Sequence, residues 1–104
     1  MTIGDWLSAR TPRPPDALRA RLDEILGGEL HRDAAAASDC FLAAGESLAA
    51  SLLGSRSTSR QSALDLLAAD ALVTYAFEAA SESPRDITER AAAAMVRIAA
   101  LGAA

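Results

Sequence analysis

The segment from Thr58 to Ser83, TSRQSALDLLAADALVTYAFEAASES, carries apolar residues on almost every side of a helical projection. At about 100° per residue, Leu66, Val73 and Phe77 fall on one side, and Leu64, Ala68, Ala71, Tyr75 and Ala79 on roughly the opposite side. Asp70, Thr74 and Glu78 recur at steps of four between them as a narrow polar strip, which Leu67 interrupts. A helix with two apolar faces belongs inside a bundle, touched on two sides with one seam open to water. Either neighbours in the same chain cover both faces, or a second copy finishes one of them. Ser62 followed by Asp65 has capping-pair spacing and offers a start for the regular helix inside the segment.

The rest of the chain supplies helices. Alanine accounts for 26 of 104 residues, β-branched residues are few, and no alternating stretch is long enough for a strand. Alanine methyls bury little area each, at roughly 25 cal/mol per Å2, so the helices must approach closely or share their apolar faces with another copy.

In chain order, Thr2 and Asp5 have capping-box spacing ahead of Ile3, Trp6 and Leu7, which predicts a short helix over residues 3–9. Residues 11–15, Thr-Pro-Arg-Pro-Pro, form a stiff link. Over 15–26, Leu18, Leu22, Ile25 and Leu26 share a face, and Gly27-Gly28 is the stop. A helix over 33–53 follows, with Phe41, Gly45, Leu48 and Leu52 in its apolar stripe; a glycine in mid-helix costs about 1 kcal/mol relative to alanine and implies a close crossing. The loop Gly54 to Ser59 then leads into the central helix, 60–82, as an antiparallel hairpin. Ser83-Pro84-Arg85-Asp86 reads as a start signal for a last helix over 84–101, with Ile87, Ala91, Ala94, Met95, Ile98 and Leu101 on one stripe. The expected fold is therefore all-α: one domain over 1–104, an antiparallel bundle of four main helices plus a short N-terminal helix.

Charge and composition exclude several function classes. The ten basic residues are all arginine, the acidic residues number 14, and the net charge is −4, with no helix presenting several arginines on one face. That balance argues against a nucleic-acid partner, since phosphate binding needs clustered cations. No uninterrupted apolar run is long enough to span a membrane, the first residues lack a signal-peptide pattern, and one cysteine makes no internal disulfide. These features predict a cytoplasmic protein without a membrane partner.

No catalytic, cofactor or metal signature is present. His31 is the only histidine and sits in an interhelical link; Cys40 lies at the edge of an apolar stripe beside Asp39, which would raise its pKa. One Cys and one His exclude an ordinary zinc site, and there is no Glu-x-x-His pair or glycine-rich phosphate loop. Asp70, set amid LLAADALVTYAF, is the carboxylate to inspect for burial and for an arginine partner. Two readings follow. The first is a non-enzymatic helical protein-interaction or oligomerisation module, without cofactors, that binds itself or another helical protein. The alternative is a small-ligand or enzymatic bundle with a polar site drawn from Asp70, Tyr75 and His31.

Overall fold

The computed structural model describes residues 1–55, 58–82 and 87–102, with the side chains of Ile87 and Arg90 outside that description. The Ser83-Pro84-Arg85-Asp86 start signal and the middle of the loop after Gly54 therefore lie outside the described residues. The described residues form five α-helices: α1 (Ile3–Ser8), α2 (Asp16–Leu26), α3 (Ala37–Ser55), α4 (Arg60–Ser81) and α5 (Ile87–Gly102). The fold is an all-α bundle of four long helices and a short N-terminal one, and no strand occurs among the described residues.

Helix α1 is too short to stand alone and is fixed at its start. The Thr2 hydroxyl accepts from the Asp5 amide at 3.1 Å, and the Asp5 carboxylate accepts from the Thr2 amide at 3.0 Å. Those bonds stabilise the carboxylate and hold Asp5 below its ordinary pKa. The Ile3 amide donates to the Arg32 carbonyl at 2.9 Å and the Ala34 amide to the Met1 carbonyl at 3.0 Å, which ties the N-terminus to the stretch before α3. Ile3, Trp6 and Leu7 then sit fully inside.

Helix α2 stops at Gly27, whose φ of 50° is one that a side chain resists. A 3-10 helix, Gly27–His31, turns the chain, and the Asp33 carboxylate accepts from the Ala35 amide at 2.8 Å to start a second 3-10 turn that runs into α3. The core collects Leu22 and Leu26 of α2, Phe41 of α3 and Leu72 of α4 around the α1 anchors.

Helices α3 and α4 make the most extensive contact of the bundle. They meet at Gly45, where a β-carbon would lie 3.0 Å from Val73 Cγ2 and 3.3 Å from Leu72 Cβ. One turn or two along, the buried Ser38 hydroxyl donates to the Ala76 carbonyl of α4 at 3.0 Å. The α4 helix begins at Ser59, whose hydroxyl accepts from the Ser62 amide at 3.1 Å; Asp65 is committed elsewhere and takes no part in the start.

The central helix differs from the expected two-faced cylinder. Ala68, Ala69, Leu72, Ala76 and Ala80 are its buried residues, and on the projection all but Ala68, which belongs to one apolar face, lie between the two faces. Leu64, Ala71, Tyr75 and Ala79 flank that stripe half-buried, whereas Leu66 is 64% and Phe77 49% exposed. The reason is the close crossing at Gly45. Small residues line the seam on α4, so α3 settles between the faces and covers neither large apolar flank completely.

Helix α5 shows the same economy of burial. Ala94 is inside and Ala91 half-buried, and Arg97 pairs with Glu46 of α3 at 3.2 Å. Met95, Ile98 and Leu101, which share the expected inward stripe, are 64%, 51% and 62% exposed. The helix docks by its alanines and leaves Met95, Val96, Ile98 and Leu101 outside.

Candidate functional site

The three residues expected to gather at a polar site do not meet. His31 is exposed at the end of the 3-10 helix, and Asp70 is exposed on the outer side of α4, between the turns that carry Leu66 and Phe77. Tyr75 is half-buried in an aromatic cluster, its ring edge-on to Trp6 at 6.0 Å and tilted to Phe41 at 6.2 Å. Burial, and secondarily Glu78, raises its phenol above the ordinary value. Among the described residues, no hydrogen bond, ion pair or ring contact joins any two of these three.

The polar groups that do cluster are spent on one another. Trp6 Nε1 donates to both carboxylate oxygens of Glu82, at 3.0 and 3.2 Å, while the Arg10 guanidinium stacks 3.7 Å from the Trp6 ring and pairs with Glu82 and Glu78 at 3.7 and 3.9 Å. This clasp fastens α1 to the end of α4. Asp65 of α4 has a closer arginine partner: its side chain, 14% exposed, accepts from Arg21 Nε at 2.7 Å and from Gln61 at 3.0 Å. The Arg21 hydrogen bond holds Asp65 below the ordinary carboxylate range.

Cys40 belongs to a third cluster. Its thiol donates to Glu29 Oε2 at 3.1 Å, and Arg32 donates to both that carboxylate, at 2.7 Å, and the sulfur, at 3.1 Å. Burial first, and the hydrogen bond to Glu29 second, push the thiol up to about 11. A thiol held protonated is a poor nucleophile and a poor metal ligand. No group of three or more His, Cys, Asp or Glu is placed to hold a metal ion among the described residues, and every buried side-chain polar atom there has a partner.

Several large apolar side chains remain uncovered. Besides Met1, eight large apolar side chains among the described residues are 49% or more exposed: Leu53 on α3, Leu66, Leu67 and Phe77 on α4, and Met95, Val96, Ile98 and Leu101 on α5. Single exposed apolar residues are ordinary on a soluble protein, but eight on three neighbouring helices are not. Leu53 and Leu66 also line a groove of about 480 Å3 at the loop end of the α3–α4 hairpin, together with Ala49 and Ala63. The sequence carried a sign of this surface: more apolar stripes than neighbours to cover them, in a chain whose close contacts are made by alanine and glycine. Among the described residues, no helix is long and apolar enough to cross a membrane. Comparison with known proteins finds no match, whether by family model, curated sequence or solved structure.

Proposed function

We propose that this chain is a non-enzymatic helical interaction module that pairs with a second copy of itself through the apolar outer surface of α4 and α5. The observation that carries the reading is the exposure of Leu53, Leu66, Leu67, Phe77, Met95, Val96, Ile98 and Leu101, between 49% and 83%. Each leaves on the order of 100 Å2 of apolar surface in water, so together they offer about 800 Å2, which is what one partner buries in a standard-size interface. The polar side chains support it from the other direction, because the clusters around Trp6, Asp65 and Cys40 are consumed in holding the bundle together.

The reading is tested by light scattering on the purified chain and on Met95→Glu/Ile98→Glu. The wild type runs at twice 10.7 kDa and the variant, with unchanged helical circular dichroism, at 10.7 kDa. A wild type of 10.7 kDa at every accessible concentration refutes it.

A further inference from the structure

We infer that the last two turns of α5 open and close on their own in the single chain, with the Arg97–Glu46 ion pair as their latch, and that a second copy of the chain locks them shut. This deepens the self-association reading and rests on it. Ala94, Ile98 and Leu101 lie on one side of α5, four and three residues apart, and their exposure climbs from 3% to 51% and 62%. The helix therefore leaves the bundle after Ala94. Every residue from Met95 to Gly102 is exposed, in contrast to the stretch of α4 that runs between the buried Leu72 and Ala76.

The polar tie described for this stretch is weak. Arg97 Nε donates to the two carboxylate oxygens of Glu46 on α3 at 3.2 and 3.4 Å, and Nη2 donates to one of them at 3.3 Å. The Arg97 side chain stands half in water, so salt screens the pair and side-chain entropy opposes it. Past its last buried residue the helix is sustained by propagation, whose constant is about 1–1.6 per residue for good helix formers near 0 °C and lower for Val96, Ile98 and Gly102. With values so near one, open and helical turns interconvert without the bundle unfolding.

Association supplies what the bundle does not. Met95, Val96, Ile98 and Leu101 together leave roughly 400 Å2 of apolar surface in water, about half of what one partner contributes to a standard-size interface. Covering that surface with a second copy ties the order of these turns to dimerisation: the dimer holds the closed form, and the closed form is what the dimer binds. The two copies are equivalent, so both ends lock together.

The test is hydrogen–deuterium exchange of the full chain, read by mass spectrometry at two concentrations, with sedimentation giving the mass at each. Where the mass is 10.7 kDa, by dilution or with Leu66→Glu/Phe77→Glu, the amides of residues 96–102 should exchange within about tenfold of an unstructured peptide, while those between Leu72 and Ala76 are slower by at least a thousandfold. Where the mass is twice that, the 96–102 amides should slow at least tenfold. Glu46→Gln should speed their exchange a few-fold in the single chain and leave the Leu72 to Ala76 amides unchanged; no response overturns the latch. A chain that dimerises with residues 96–102 slow at both concentrations overturns the independent opening, and one that dimerises with them fast at both overturns the locking; either leaves self-association standing. A wild type that stays at 10.7 kDa throughout overturns both readings.

Discussion

Replacing Gly45 with alanine sets two opposing effects against each other, and the structure decides between them. In an isolated helix, Gly→Ala in mid-sequence is worth about 1 kcal/mol of added stability. Here the new methyl would arrive 3.0 Å from Val73 Cγ2, 3.3 Å from Leu72 Cβ and 3.4 Å from the Val73 amide nitrogen. None of these can step aside cheaply: Cβ and the amide are part of α4's frame, and Val73 is β-branched with one favoured rotamer in a helix. The helices must separate along their most extensive contact, and overpacking of that kind costs about 1–3 kcal/mol. The net expectation is a loss of up to about 2 kcal/mol, or a fall in Tm of up to about 15 °C for a chain of this size. Gly54 is the internal control: it lies in the last turns of the same helix with nothing within 4 Å of its β-carbon position, so Gly54→Ala should be neutral or slightly stabilising. Urea and thermal unfolding followed by circular dichroism measure both. Adding Val73→Ala to Gly45→Ala should recover part of the loss. If Gly45→Ala raises the Tm as Gly54→Ala does, α3 and α4 are not in close contact there and the packing argument is wrong.

Three further outcomes follow from the polar clusters. Trp6→Ala should cost about 3–5 kcal/mol by urea unfolding, since it empties a fully buried site and removes the indole donor to Glu82; a loss below about 1 kcal/mol would mean that α1 is not part of the core. Asp65→Asn should destabilise by about 1–2 kcal/mol at neutral pH through its bond to Arg21. Because folding lowers the Asp65 pKa, that contribution is fully present above the ordinary value of 3.8 and disappears as pH falls through the lower folded value. The gap between wild type and Asp65→Asn should therefore narrow in acid, and a gap that widens contradicts the assignment. Cys40, with a thiol pushed up to about 11, should be alkylated at pH 8 roughly a hundredfold more slowly in the folded chain than after denaturation, and Glu29→Gln should speed it.

Local signals were the most legible part of this fold. The Thr2 and Asp5 spacing, the glycine stop at Gly27 and the mid-helix Gly45 each correspond to a short-range requirement that one or two residues meet, and each is visible without knowledge of tertiary contacts. Burial was legible only where one stripe was available. In α3 the expected stripe holds, with Phe41 and Gly45 inside. In α4 the sequence offers two apolar faces, and periodicity cannot say that α3 would settle on the alanines between them. In α5 the alanines of the stripe go inside while Met95, Ile98 and Leu101 stay exposed, because Ala91 and Ala94 allow a closer approach than Met95 or Ile98. Asp70 drew attention because its neighbours in sequence are apolar; Asp65 has the arginine, supplied by α2, 44 residues away. Long-range pairing of that kind leaves no trace in local pattern.

The mass of the unmodified chain in solution is the most direct measure of self-association. Sedimentation equilibrium from about 1 μM to about 1 mM should show a mass that reaches twice 10.7 kDa within that range. The Ile98→Glu/Leu101→Glu variant should stay at 10.7 kDa throughout, with its helical content intact. A wild type fixed at 10.7 kDa across the whole range would contradict the assignment of the exposed α4 and α5 surface as an interface between copies.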